Sequence, residues 1–188
     1  MSEAPTLPTQ PMTADDFIAW AMEQDGRYEL EDGFVVRMSP ERAAHARVKH
    51  RAARLLEDAI ARAGLPCEAF PDGMAVPVDD GHVFEPDALV RCGERLPGDA
   101  TRVTDPVIVV EVHSPSTGTR DASTKFVDYF RVPSIHHYLQ VHPGKRVVVH
   151  HARAAGAGKV ESSILPDGVL RLDPPGLELD VAAFFADL

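Results

Sequence analysis

The chain has 188 residues, of which 44% are hydrophobic and 26% are charged, and its formal net charge is −10. This length can bury a substantial core, and the composition is that of a globular protein. No apolar segment reaches the roughly 20 residues that a membrane helix needs. The acidic balance excludes a protein that binds nucleic acid over its whole surface, although it permits a local basic patch.

The first twelve residues are polar and rich in proline, so we expect a flexible tail over 1–12 and a single domain over 13–188. Cys67 and Cys92 provide neither a disulfide framework nor the ligand spacing of a zinc site. These features together indicate a protein of the reducing cytoplasm.

The pattern of apolar residues and turns predicts helices early in the chain and after the most apolar strand, with strands elsewhere. Because strands dominate the middle, the fold class is α+β, or mixed α/β. In chain order the predicted elements are a capped helix from Thr13, a β-hairpin around EDG, a helix from Glu41 to Leu56, strands in GMAVPV and FEPDALVRC, a buried strand in DPVIVVEV, a helix from Thr119 to Arg131, a hairpin of IHHYLQVH and RVVVHH, a hairpin in ESSILPDGVLRL, and a terminal helical turn in VAAFFADL.

The helix predicted from Glu41 to Leu56 has two parallel stripes. The apolar stripe consists of Ala44, Val48, Ala52 and Leu55 or Leu56. The basic stripe consists of Arg47, Arg51 and Arg54, with Arg42, Lys49 and His50 nearby. A solvated helix face and an anion-binding surface explain this basic stripe equally well. Only four of the 19 lysine and arginine residues are lysines, so each lysine raises the question of why an arginine would not serve.

Two carboxylates stand at the ends of predicted strands. Asp87 follows Pro86 at the start of one strand, and Glu111 comes directly after the buried run VIVV. Burying two unpaired carboxylates is costly, whereas a hard divalent cation between them would compensate for their burial. Lys125 on the next helix is placed to orient or deprotonate a water and to stabilise charge on a phosphate. Asp87, Glu111 and Lys125 therefore predict a metal-dependent centre that cleaves phosphodiesters.

Simpler explanations exist for two of these three residues. Asp87 after a proline is also placed to cap a turn. Lys125 is also placed to form an ordinary surface pair with Asp121, four residues earlier. If Lys125 instead belongs to the metal centre, we expect Asp121 to lie at the periphery of the site. Glu111 is harder to explain in this way, because four β-branched residues precede it directly.

Several separated motifs occur in one order along the chain: YELEDGFVVRMSP, EPDALV, VIVVEVHSPST and PGLELDVAAFFADL. Together they resemble the Uma-two family of restriction endonucleases, within the PD-(D/E)xK nuclease-like superfamily, from about Thr13 to Leu188. The resemblance implies a restriction-endonuclease-like core, in which helices flank a mixed central β-sheet. It also implies a Mg²⁺ or Mn²⁺ site at the open end of a central hairpin, with DNA as the substrate.

The resemblance also implies roles for individual residues. Asp87 matches the Asp of the superfamily's Pro-Asp motif and Glu111 matches its acidic partner, so these two would bind the metal. His113 stands where the superfamily usually has a lysine, and Lys125 resembles the migrated replacement for it. Glu29, in YELEDG, resembles an additional acidic residue that this family places near the metal.

The leading hypothesis is a Mg²⁺- or Mn²⁺-dependent DNA endonuclease, with Arg47, Arg51 and Arg54 along the phosphate backbone. One alternative is a nuclease-fold protein without turnover that binds nucleic acid or a protein partner. Another is a metal-dependent phosphoesterase for small substrates, which would keep the same site residues but would not need the basic helix. The sequence leaves open the choice of DNA or RNA, a homodimeric assembly, and the roles of His113 and of His45, which matches a recurrent family position.

Overall fold

A computed structural model describes residues 7–113, 119–156, 158–186 and 188, with the backbone alone for 119–123. The helices are α1 (Ala14–Ala21), α2 (Ala43–Ala63) and α3 (Thr119–Tyr129), with a 3-10 helix at Val181–Phe185. The strands are β1 (Tyr28–Glu31), β2 (Phe34–Arg37), β3 (Cys67–Pro71), β4 (Val76–Asp79), β5 (His82–Phe84), β6 (Ala88–Cys92), β7 (Pro106–Val112), β8 (His137–His142), β9 (Val147–Arg153), β10 (Val160–Leu165), β11 (Val169–Leu172) and β12 (Leu177–Asp180).

A six-stranded sheet of order β10-β9-β8-β7-β6-β3 forms the centre of the molecule. Strands β7 and β8 are parallel, with α3 between them in the chain, and the other neighbours are antiparallel. Side chains alternate between the two faces of a strand, so each face contributes to a different core. Val110 packs in the core shared with α2, whereas Val109 packs in the core shared with Tyr129 of α3. The predicted α+β class and the mixed sheet between helices are confirmed.

A smaller sheet of order β2-β1-β5-β4 carries the N-terminal hairpin. The predicted turn at EDG is confirmed, because Asp32 and Gly33 both have positive φ angles, 50° and 82°, as a two-residue hairpin turn requires. Thr13 caps α1 by accepting a hydrogen bond from the Asp16 backbone N–H at 3.2 Å. This sheet places Glu29 of β1 in the interior, where it is 5% exposed.

The predicted hairpin in ESSILPDGVLRL is wrong. Strand β10 instead pairs with β9 at the edge of the large sheet, and β11 pairs with β12 in a separate two-stranded sheet. Both β11 and β12 alternate buried and exposed residues. Pairing them with each other places their leucines on one side, where these join the core beneath α2: Leu170, Leu172, Leu177 and Leu179.

The two cysteines form a disulfide, so the expectation that they do not is also wrong. Cys67 of β3 lies directly opposite Cys92 of β6, and their sulfur atoms are bonded. Strand β3 is absent from the sequence-based predictions, which is why this cross-strand partnership is missed. Disulfides persist mainly in oxidising compartments, so the cytoplasmic location stays a prediction that this bond does not support.

Three other expectations are not tested by the fold. The tail over 1–12 and the single domain over 13–188 stay predictions, and residues 1–6 lie outside the described part of the chain. The side chain of Asp121, which we expect to be peripheral, also lies outside the described part.

Within the described residues, no helix has both the length and the apolar character needed to cross a membrane.

Candidate active site

The candidate site lies where β6 begins and β7 ends. Ala88 is opposite Val110, so Asp87 and Glu111 occupy the next position along the same pair of strands. The Asp87 carboxylate accepts a hydrogen bond from the Val112 backbone N–H at 2.6 Å through Oδ2. Asp87 is 5% exposed, and the side chain of Glu111 is 12% exposed. The antiparallel register thus brings the two predicted metal ligands to one edge of the core.

Lys125 of α3 joins Glu111 to Glu29 of β1. Its Nζ donates hydrogen bonds to Glu29 Oε1 at 2.8 Å and to Glu111 Oε1 at 3.3 Å. Tyr129 follows Lys125 by one helical turn and donates its hydroxyl to Glu111 Oε1 at 2.7 Å. Glu29 also accepts a hydrogen bond from the Glu85 backbone N–H at 3.0 Å. The structure therefore brings three of the four predicted catalytic residues into direct contact, and Asp87 lies beside them.

This environment changes the acidity of Glu111. Burial raises the pKa of Glu111 to about 8, and the carboxylates of Asp87 and Glu29 act in the same direction. The Lys125 ammonium and the Tyr129 hydroxyl lower the pKa of Glu111, but they do not outweigh burial. A buried carboxyl group near other carboxylates is stabilised as an anion when a further cation binds beside it.

Lys49 of α2 forms a second group of contacts around Asp87. It is 5% exposed, and its Nζ lies 2.8 Å from Asp87 Oδ1 and 2.6 Å from Asp72 Oδ2. It also pairs with Glu41 Oε1. Burial lowers the pKa of Lys49, but the carboxylates of Asp87, Asp72 and Glu41 outweigh burial and raise this pKa above its ordinary value. Lys49 is therefore a buried cation of the site rather than a member of the basic surface.

A guanidinium group completes this second group of contacts. Arg27 lies 2.7 Å from Asp72 and 3.4 Å from Glu41 through one terminal nitrogen, and its Nε lies 3.0 Å from Glu85. The sequence does not predict that four residues meet beside Asp87: Arg27, Glu41, Lys49 and Asp72. The one available signal is the scarcity of lysine, since Lys49 and Lys125 are both buried at this site.

Two histidines with no predicted role lie at the same end of the sheet. His45 binds Glu41 Oε2 through Nδ1 at 3.1 Å, and its Nε2 contacts the Val112 carbonyl. The His113 ring stacks on His142, with ring centres 4.6 Å apart. Burial lowers the pKa of His113 to about 4, and His142, Lys125 and His45 add to this shift. His113 is therefore neutral near pH 7 and does not supply the positive charge of the lysine it replaces.

Only part of the predicted basic stripe on α2 is exposed to solvent. Arg47 and Arg54 are exposed, and Arg54 lies 4.0 Å from Asp58 in an exposed pair. Arg51 is half-buried and donates a hydrogen bond to the Ala186 carbonyl near the C-terminus. The stripe thus retains two exposed guanidinium groups, and contact with a phosphate backbone stays a prediction.

The side chains present fit a hard divalent cation. Asp87 and Glu111 offer carboxylate oxygens from adjacent strands, which are the ligands that Mg²⁺ and Mn²⁺ prefer. Both side chains are largely shielded from solvent, and Lys125 lies against one of them. Binding of an ion shared by the two carboxylates stays a prediction.

The chain matches a family model and is similar to known proteins over most of its length. Residues 14–183 match the model of the Uma-two (Uma2) family, which is described as "putative restriction endonuclease". The uncharacterized protein slr1290 of Synechocystis sp. is 26% identical over 142 residues, which cover 75% of this chain and 74% of that protein.

A solved structure from Anabaena variabilis, described as a "putative nuclease belonging to DUF820", has 15% sequence identity. It superposes with a TM-score of 0.72 over 94% of this chain and 98% of that chain, and it therefore shows the same restriction-endonuclease-like fold. Since the family model spans most of the sequence, and the site motifs fall within the matched residues, the chain belongs to the Uma-two family.

Proposed function

We propose that this protein is a divalent-metal-dependent DNA endonuclease that hydrolyses phosphodiester bonds. The observation that carries the proposal is the contact of Lys125 with Glu29 and Glu111 next to Asp87, at the shared edge of two central strands. The family description supports the same chemistry, as does the description of the solved relative as a nuclease.

Asp87 and Glu111 would hold the metal, with Mg²⁺ or Mn²⁺ as the expected ion. When bound, such an ion polarises a phosphate oxygen and lowers the pKa of a bound water. Lys125 would donate hydrogen bonds to the attacking water and to phosphate oxygens on which negative charge develops. Glu29 would hold the Lys125 ammonium in place by the contact at 2.8 Å.

DNA binding requires a local positive surface on a chain with net charge −10. The exposed guanidinium groups of Arg47 and Arg54 lie on the same helix as Lys49, which is buried at the site. Arginine suits this role because its planar group forms paired hydrogen bonds with phosphate. We propose that this helix contacts the phosphate backbone without selecting a base sequence.

One observation favours a second function, a nuclease-fold protein that binds without turnover. The site carboxylates already contact Lys49, Arg27, Lys125 and Tyr129, as they would in a purely structural network of ion pairs. A network of this kind does not need a metal to compensate for the buried charge.

A plasmid-nicking assay separates the two functions. Supercoiled DNA is incubated with the protein and Mg²⁺ or Mn²⁺, with a chelator as the control. The proposed endonuclease nicks the DNA only when the metal is present. Binding to DNA without nicking at any metal concentration would support the second function.

A further inference from the structure

The ammonium group of Lys49 is enclosed by carboxylates from three separate parts of the chain. Glu41 precedes α2, Asp72 follows β3, and Asp87 precedes β6. Each has an oxygen in contact with Lys49 Nζ, and these carboxylates present oxygens that all lie within 4.8 Å of one another. The three side chains converge on one point, and Lys49 Nζ occupies it.

This arrangement has the ligand chemistry of a cation site. Three carboxylate oxygens around one point are the donors that Mg²⁺ and Mn²⁺ select. The contacts to Nζ, 2.6 Å from Asp72 and 2.8 Å from Asp87, are those of an ammonium held by charge-assisted hydrogen bonds. A side chain of this protein thus supplies the cation that such a cluster requires.

Asp87 connects this cluster to the candidate metal centre. Its Oδ1 faces Lys49, whereas its Oδ2 faces the end of β7, where Glu111 lies. Phosphodiester-cleaving sites with two metal ions place the ions about 3.5–4 Å apart, where they act on the attacking and leaving oxygens. The Lys49 ammonium therefore stands beside the Asp87–Glu111 pair on the side where a second ion would share Asp87.

We propose that Lys49 takes the place of a second divalent ion and positions Asp87, so that the protein binds one ion only. The location of that one ion at Asp87 and Glu111 rests on the function proposed above, whereas the exclusion of an ion from the Glu41–Asp72–Asp87 cluster does not. Lys49 is a positioning residue in this scheme, because its contacts are with the carboxylates.

The nearby Arg27 provides a matched control for charge. It also neutralises Asp72 and Glu41, but its Nε pairs with Glu85, and its side chain is 35% exposed. The Arg27→Met variant removes one positive charge from the same cluster and leaves the Lys49 ammonium at the convergence point. Both variants make the cluster more negative by one charge, but only Lys49→Met also empties the position between the three carboxylates. Comparing the two variants therefore separates the effect of charge from the effect of the vacant position.

The test is to count bound Mn²⁺ by calorimetry and by the electron paramagnetic resonance signal of free Mn²⁺. The Lys49→Met variant should bind one ion more than the unmutated protein, and Arg27→Met should bind no additional ion. The additional ion should persist in Lys49→Met/Glu111→Gln and be lost in Lys49→Met/Asp72→Asn. An unchanged or reduced number of ions in folded Lys49→Met would overturn the proposal.

The two proposals fail in different ways. If the unmutated protein binds no Mn²⁺ and Lys49→Met binds one ion, the inference about Lys49 stands and the Asp87–Glu111 metal centre is wrong. If Glu111→Gln removes the single ion of the unmutated protein and Lys49→Met gains none, the metal centre stands and the inference is wrong.

Removal of Lys49 leaves three carboxylates close together, so the variant is also examined by thermal unfolding followed by circular dichroism. Mn²⁺ should raise the Tm of Lys49→Met more than that of the unmutated protein, because the ion replaces the missing ammonium. A Lys49→Met protein that stays unfolded at every Mn²⁺ concentration would contradict the proposal, which requires an ion to fill the same position.

Discussion

Lys125 Nζ lies 2.8 Å from Glu29 Oε1, although the two residues are 96 positions apart in the chain. Both side chains are less than 10% exposed, at 9% and 7%. The pair joins the smaller sheet to α3 and holds the ammonium beside Glu111 at 3.3 Å. Leaving one charge of a buried pair without its partner is strongly destabilising, so this contact fixes the position of Lys125.

Replacement of Lys125 should abolish most cleavage while metal binding is retained. The Lys125→Ala variant should lose about 10²–10⁴-fold in nicking rate, the usual size of a positioned acid–base or charge-stabilising group. Lys125→Arg should recover little, because a planar guanidinium does not fit the same contacts. The nicking assay measures the rates, and exposed Lys159→Ala is the control. Unmutated rates in Lys125→Ala would remove Lys125 from the mechanism.

Replacement of Glu29 by glutamine should lower the free energy of unfolding. The amide keeps the shape and can still accept from the Glu85 backbone, but it loses the charge that pairs with Lys125. A hydrogen bond to a charged group contributes about 1.5–3 kcal/mol, which is the expected loss. Urea denaturation measures it, with exposed Glu161→Gln on β10 as the control. Equal losses in both variants would show that the Glu29–Lys125 pair contributes nothing specific.

The raised pKa of Glu111 predicts how stability changes with pH. The pKa of Glu111 rises from 4.5 to about 8 on folding, so between these values the folded protein holds a proton that the unfolded chain has released. This group therefore lowers the free energy of unfolding as the pH rises through that window. Glu111→Gln should remove this part of the pH dependence in urea denaturation without metal. An identical pH dependence in the variant would contradict the shift.

The proton that Glu111 retains in the folded protein should also make metal binding depend on pH. An ion that binds ionised Glu111 must displace the proton, so Mn²⁺ affinity should rise by up to about tenfold per pH unit until about pH 8. Calorimetry in buffers of different ionisation enthalpy measures the number of protons released. Affinity that does not change between about pH 6 and about pH 8 would contradict the displacement of a Glu111 proton by the ion.

Charge removal along α2 should weaken DNA binding equally for all base sequences. The triple variant Arg47→Ala/Arg51→Ala/Arg54→Ala should also reduce the salt dependence of binding, by about one unit of slope for each phosphate that the protein no longer touches. Because Arg51 also binds the Ala186 carbonyl, the double variant of Arg47 and Arg54 separates DNA binding from folding. Fluorescence anisotropy with duplex DNA at several salt concentrations measures both, with exposed Arg171→Ala as the control. Unchanged binding would exclude this surface.

Local sequence patterns identify Glu111 and Lys125 at the site, whereas Glu29 is identified only through the family resemblance. Glu111 interrupts a strand that is otherwise apolar, and Lys125 stands one helical turn before Tyr129 on the face that packs inward. Lys49 carries no signal of this local kind, because its neighbours along α2 include a continuous basic stripe, and only the scarcity of lysine in the chain distinguishes it. Its burial depends on Asp72 and Asp87, which approach it only in the folded chain.

Partner choice between strands is the other property that local patterns leave undetermined. The turn residues between β10 and β11 predict a change of direction, but each strand finds its partner in a different sheet. The bond between Cys67 and Cys92 likewise depends on the pairing of β3 with β6. Turn signals are local, whereas the sheet order is set by which apolar faces can be buried together.

The most direct test is the anomalous difference map of a crystal soaked in Mn²⁺. We predict one peak, at roughly 2.1 Å from carboxylate oxygens of both Asp87 and Glu111, a distance usual for a hard divalent cation. We predict no second peak between Glu41 and Asp72, because Lys49 Nζ contacts both carboxylates there. A map without a peak at Asp87 and Glu111, or with the ion in the position of the Lys49 ammonium, would contradict the proposed site.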